Sequence, residues 1–282
     1  MAGESNGPIP MDESLGSPER FGYEWAKYNE LRPDYETQFR KWTPFLQPDD
    51  WRGKSVLDVG CGTGRNSFWP LQYGAGSAVA IDVDVQSLDV ARRNLEPFQN
   101  ASVLQRSAYD IGFENHFDVA FSIGVIHHLE HPQTALAQMV KAAKEGGEVL
   151  IWVYGLENNE WIVRYADPIR KALFSWLPIQ LVHHLSLYPA AALWLALRLG
   201  LGSNEYFRLI RTFSFRHLRS IVFDQMLPKI AHYWPRSTVE KLMEEAGLKN
   251  IRLQWVNEIS WAAIGTKQAA RPSESNPNSR PA

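Results

Sequence analysis

The chain has 282 residues, 45% of them hydrophobic, and a formal charge of −2. That length can bury a sizeable core but falls short of two large domains, so one core domain with an elaboration is expected. The charge leaves no net positive field, which argues against DNA and RNA as partners and for a small or neutral one. A single cysteine, Cys61, makes neither an internal disulfide nor a zinc cluster, so no metal and a reducing, cytoplasmic setting are expected.

Residues 1–20 carry acids, prolines and glycines, with no basic region ahead of an apolar stretch. They read as a disordered arm and as neither a secretory signal nor a transit peptide. Residues 21–46 place aromatics at Phe21, Trp25, Tyr28, Phe39 and Trp42, near-helical intervals broken at Pro33, which predicts two short amphipathic helices. From 54 to 154 the apolar runs KSVLDVG, SAVAIDV, ASVLQRS, FDVAFSIG and GEVLIWVY alternate with helix-length segments. This succession predicts an α/β fold with a doubly wound, mostly parallel sheet, and VAFSIGVI and VLIWVY are continuous enough for strands buried on both faces.

Residues 155–232 interrupt the pattern. From Ala172 to Leu197 there is no Asp, Glu, Lys or Arg, but Pro178, His183, His184 and Pro189 punctuate the run, so a membrane span is not expected. Two readings stay open: buried helices forming a lid on the sheet, or a surface in peripheral contact with a membrane. Residues 233–267 then read as helix, strand, strand completing the sheet. The polar, proline-rich stretch 268–282 reads as a disordered tail.

Chemistry concentrates in SVLDVGCGTGRNSF, residues 55–68. A glycine-rich turn between strand and helix presents backbone N–H groups and lets a ligand approach closely. A dinucleotide fingerprint read from Gly60 would set Arg65 where its third glycine belongs, which opposes that ligand class. Asp58 beside the loop repels a pyrophosphate but favours an ammonium group, as on the amino acid tail of S-adenosylmethionine. Asp82, ending the next apolar run, can accept hydrogen bonds from both hydroxyls of a ribose. The plainer alternatives are a strand-end cap for Asp58 and a tight turn for the glycines.

Together VLDVGCGTG, VAIDVD, FDVAFSIGVIHHLEHP and KEGGEVLIWVYG resemble the class I S-adenosylmethionine-dependent methyltransferases, especially the small-molecule type that includes ubiquinone and menaquinone methyltransferases. The resemblance implies a seven-stranded Rossmann-like core and S-adenosylmethionine as cofactor. It implies that Asp58, Gly60, Cys61, Gly62 and Gly64 hold the methionine end, with Asp82 on the ribose and Val83 against the adenine. Ser107, Ala108 and Ser122 belong to the same expected shell. Ser107 stands where the family usually has an acid, so its bond to the adenine amino group would be weaker.

Methyl transfer needs an aligned nucleophile and a destination for its proton. His127 and His128, in the loop that faces substrate in the family, are candidate bases, with one expected to face the substrate; two structural histidines are the alternative. SIGV replaces the motif with which relatives grip exocyclic amino groups, which disfavours adenine or cytosine amino methylation and leaves other atoms of a modified tRNA base open. Tyr23, Trp25 and Tyr28 are expected to close over the cofactor, and Tyr154, Trp161, Arg164 and the segment FDQMLPKIAHYW, residues 223–234, to wall an acceptor pocket, with Arg164 or Arg211 meeting an anionic acceptor. The resulting expectation is methyl transfer to oxygen or carbon of a small, partly apolar acceptor: a quinone, lipid, lipid-linked sugar or secondary metabolite. A tRNA-modifying methyltransferase and a non-catalytic cofactor-binding partner subunit are the alternatives.

Overall fold

The structure is a computed structural model and describes residues 18–27, 34–202 and 205–269. Of the expected arm, residues 18–20 are helical instead, and its residues 1–17, Tyr28 and the tail from residue 270 lie outside the described residues. Two short helices, α1 (Pro18–Lys27) and α2 (Asp34–Trp42), precede the sheet. The core then runs β1 (Ser55–Val59), α3 (Arg65–Gln72), β2 (Ser77–Asp82), α4 (Val85–Leu95), β3 (Ala101–Gln105), β4 (Phe117–Ile123), α5 (Pro132–Ala142) and β5 (Ala143–Tyr154). A helical insertion follows, with α6 (Asp167–Ile169) between two wide π turns, then α7 (Ile179–Leu185), α8 (Leu187–Arg198), α9 (Glu205–Ile210) and α10 (Phe215–Met226). Helix α11 (Arg236–Glu245) and strands β6 (Leu248–Val256) and β7 (Ser260–Lys267) close the chain.

The seven strands lie in the order β3-β2-β1-β4-β5-β7-β6, parallel except for β7, which runs antiparallel to both neighbours. The predicted α/β architecture is therefore present. Strand alternation divides the core. Val56, Phe121, Leu150 and Trp152 enter the layer under α2 and α3, whereas Leu57, Ala120, Ile151 and Val153 enter the layer with α5 and α11. Both faces are covered, which is why these strands are apolar almost throughout. On the first face Phe39 of α2 lies 5.5 Å from Trp51 and 6.1 Å from Phe121, fastening the N-terminal segment to the sheet.

The chain winds outward from β1 to β2 and β3, then returns to β4 on the other side of β1. The loops after β1 and β4 consequently diverge and open a crevice at the carboxyl ends of the strands, the usual ligand position in such sheets. Over it sit α1 and the insertion, whose inner side is a small core of Val182, Phe223, Met226 and Leu227 with Phe174 and Leu185 packed on it. No helix among the described residues is long and apolar enough to cross a membrane.

Candidate active site

The loop after β1 closes its hydrogen bonds internally. The N–H groups of Gly60 and Cys61 both donate to the Ile81 carbonyl at 2.9 Å, and the Gly64 N–H donates to the Cys61 carbonyl at 2.9 Å. The Gly62 N–H donates to Asp82 Oδ2 at 2.9 Å, while Asp82 Oδ1 accepts the Asp84 N–H at 3.0 Å. These loop amides, expected to face a ligand, instead tie β1 to β2 and set Asp82 at the cavity wall. Gly60 has φ +74°, and a Cβ there would overlap the methyls of Val125, so the loops after β1 and β4 touch at this residue. Burial raises the Asp82 carboxyl above its ordinary range.

A cavity follows this wall. Gly60, Cys61, Gly62, Asp82, Val83 and Ala108 line its nucleoside end, joined by Asn66, Arg106 and Tyr109. Arg65 also lines it, its guanidinium 5.1 Å above the Tyr35 ring and 5.6 Å above the Trp42 ring. The far end is walled by Trp152, Tyr154, Tyr206, Phe213, Asp224 and Asn257, and Phe21 of α1 and His128 stand between the two ends.

Several expected site residues lie elsewhere. Asp58 is buried behind the loop, where Ser67 Oγ donates to its Oδ2 at 2.6 Å, and burial pushes its carboxyl up to about 7. It joins β1 to α3 and does not reach the cavity wall. Gly64 likewise stands behind the wall, capping α3. Ser107 Oγ accepts the Tyr109 N–H at 2.9 Å and shapes the turn that presents Ala108. Ser122 is fully buried and donates to the Val59 carbonyl at 2.8 Å, bridging β4 to β1. Tyr23 points into the lid, 6.2 Å from His183 and 6.3 Å from Phe223, and Phe21 takes the place over the cavity. The Trp25 side chain and Tyr28 lie outside what is described. Trp161 and Arg164, expected at the acceptor pocket, are exposed on the lid at a wide π turn. The Arg211 guanidinium donates to the Leu201 and Gly202 carbonyls.

Only one of the paired histidines lines the cavity. His128 Nδ1 lies 2.8 Å from the Ile230 carbonyl, which fixes that nitrogen as the protonated donor and leaves Nε2 as the acceptor. Burial lowers its pKa to about 4, so the ring is neutral near pH 7. His127 is fully buried, 4.0 Å from the Tyr154 ring, neither ring nitrogen has a hydrogen-bond partner among the described residues, and burial holds it well below its ordinary pKa. At the far end the Tyr154 hydroxyl accepts from Gln225 Nε2 at 2.9 Å and donates to Asp224 Oδ2 at 3.3 Å. Tyr233 donates to Gln225 Oε1 at 3.2 Å. Burial raises the phenol of Tyr154 well above its ordinary pKa, so it stays protonated. Sequence reasoning missed Gln38, Arg65, Trp152 and Tyr206 as cavity residues, whereas Asp224 lies in the segment 223–234 expected to wall the acceptor pocket; Gln38 and Trp42, four apart on α2, were the legible signal.

The donor set suits S-adenosylmethionine. Asp82 would accept from the ribose, Val83, Ala108 and Tyr109 would flank the adenine, and Arg65 would offer a cation to the methionine carboxylate.

Comparison with known proteins agrees with this geometry. Residues 57–151 match a family described as a methyltransferase domain. The tRNA U34 carboxymethyltransferase of Photobacterium profundum is 30% identical over 200 residues, covering 62% of this chain and 60% of that protein. An enzyme of the same name from Klebsiella pneumoniae subsp. pneumoniae is 30% identical over 176 residues, covering 54% of this chain and 52% of that protein. The chain thus spans less than two thirds of the curated relatives it matches. Among solved structures, magnesium protoporphyrin IX methyltransferase from Synechocystis PCC 6803 with bound SAH has the same fold, with a TM-score of 0.54, 11% identity, and coverage of 92% of this chain and 98% of that one.

Residues 57–151 thus match a methyltransferase domain, on the fold that the resemblance implied. The expectation of a small-molecule or lipid-like acceptor, with RNA disfavoured, is corrected by the relatives, which are named for tRNA. Its error lay in averaging charge over the whole chain. Between Arg198 and Arg219, on the segment that walls the far end, Arg198, Arg208, Arg211, Arg216 and Arg219 face only one acid, Glu205. A polyanion responds to that local density.

Proposed function

We propose that the chain transfers a methyl group from S-adenosylmethionine to a base of tRNA. The observation that carries this reading is the 30% identity over 200 residues with an enzyme named for a tRNA uridine. The cavity supports it. Trp152, Tyr154, Tyr206 and Phe213 offer aromatic faces on which a base drawn out of its stack can lie, and Asp224 and Asn257 offer polar groups for its edge.

The bound cofactor supplies an electrophilic methyl on a positively charged sulfur. The chain's residues do the rest by binding and alignment. Asp82 and Arg65 fix the two ends of the donor, and Phe21 of α1 excludes water from the cavity. His128 Nε2, held as an acceptor by the Ile230 bond, orients the acceptor's proton. With a pKa near 4 it is a weak base, so it suits an acceptor group that is itself acidic.

A second reading follows the relatives' name to the letter: the transferred group carries a carboxylate. One experiment tests both. The full chain is incubated with tRNA lacking the modification and with either S-adenosylmethionine or its carboxylated analogue, and product nucleosides are analysed by mass spectrometry. A methylated nucleoside supports the first reading and a carboxymethylated one the second. Unmodified tRNA with both donors overturns the tRNA assignment.

A further inference from the structure

Nearly all the exposed large hydrophobic side chains of this protein lie in one stretch. Among the described residues every one except Val85 falls between Trp161 and Leu201. Trp161, Tyr165, Ile169 and Leu173 recur every fourth residue through the run of π and α turns, and a π turn holds more residues than an α turn, so this spacing keeps them on one face. Trp176, 83% exposed, continues the stripe, and Leu187, Tyr188, Leu195 and Leu199 of α8 and its cap add to the exposed apolar surface. The lid's own core, around Val182 and Phe223, leaves this surface outside. A monomer in water rarely exposes so much apolar surface in one region.

The charges on the same stretch select the occupant. Its one acid, Asp167, is buried and bonded to Arg170 and Lys171, while Arg164, Lys171 and Arg198 are exposed. Tryptophan and tyrosine beside aliphatic residues, edged by cations, match the chemistry of a bilayer interface with anionic headgroups. Nucleic acid is a poorer fit, since Ile169, Leu173, Leu195 and Leu199 neither stack on bases nor meet phosphates. Helix α8 has 12 residues, far below the roughly 20 that span a bilayer, so the elements would lie in the interface plane.

We propose that the outer face of the lid, residues 161–201, docks on the surface of an anionic lipid bilayer. The full chain is sedimented with sucrose-loaded vesicles of phosphatidylcholine alone and of phosphatidylcholine with phosphatidylglycerol. Preferential binding to the anionic vesicles is expected, reduced roughly tenfold by Trp176→Ser with Leu199→Ser and weakened by Lys171→Glu. Both apolar side chains are exposed, so an unchanged thermal midpoint shows that the lid is still folded. No binding to anionic vesicles, or binding indifferent to these substitutions, overturns the proposal. So does a concentration-dependent dimer in analytical ultracentrifugation that the same pair of substitutions disperses, because a second copy would then cover the face.

Discussion

Asp82 Oδ2 accepts the Gly62 N–H at 2.9 Å, so the carboxylate that faces the cavity also shapes the glycine loop. Asp82→Ala removes a ribose acceptor and the anchor of the loop together. Affinity for S-adenosylhomocysteine in calorimetric titration is expected to fall at least tenfold, ~1.4 kcal/mol. Unchanged affinity would remove Asp82 from the site.

The contact between the loops after β1 and β4 can be tested with a pair of substitutions. Gly60→Ala places a methyl against Val125 in a left-handed conformation and is expected to cost about 1–3 kcal/mol of stability in urea unfolding. Val125→Ala in the same chain relieves the overlap but not the backbone strain, so recovery is partial. Full additivity of the two losses would show that the residues do not meet.

His128 makes stability depend on pH with a definite sign. Its folded pKa of about 4 lies below the ordinary 6.5, so the unfolded chain binds more protons between these values. Stability therefore rises with pH across that window and is lost as pH falls through it, by about 3 kcal/mol at pH 4. His128→Asn keeps a donor toward Ile230 and is expected to flatten the acid limb of a urea-unfolding series by that amount. An unaltered limb would mean that the ring is not buried in the neutral form.

Tyr154→Phe leaves the aromatic face but removes the hydroxyl held between Gln225 and Asp224. Turnover on tRNA is expected to fall about tenfold while cofactor affinity stays constant, which single-turnover kinetics with calorimetry would separate. A parallel loss of cofactor affinity would place Tyr154 at the wrong end of the cavity.

The sheet was legible because strands buried on both faces leave little room for polar residues, and Asp82 because an acid ending the second strand stands out there. Asp58, Ser107 and Ser122 were not, since which way a short polar side chain turns depends on the partner that the folded backbone brings to it. Ser122 bonds Val59, 63 positions away, and Ser67 reaches Asp58 only after α3 folds back on β1. Phe21 lines the cavity where Tyr23 was expected, because aromatic spacing marks the faces of a helix without saying which neighbour each face meets. The insertion 155–232 was expected at the acceptor end, and α9 and α10 do reach the cavity, but which of their side chains line it is a matter of packing that no local pattern records.

Helix α1 reaches both halves of the machinery. Arg20 donates to the Phe174 and Leu177 carbonyls of the lid, Phe21 stands 5.2 Å from His128 over the cavity, and a Cβ at Gly22 would collide with Asp84 at the start of α4. One rigid turn thus cannot lift from the cofactor without letting go of the lid. Occupancy of either end favours the closed helix and so tightens the other, a reciprocal coupling. In the proposed reaction the two ligands would then strengthen each other's binding through this helix, and titrating S-adenosylhomocysteine with and without tRNA would reveal that coupling.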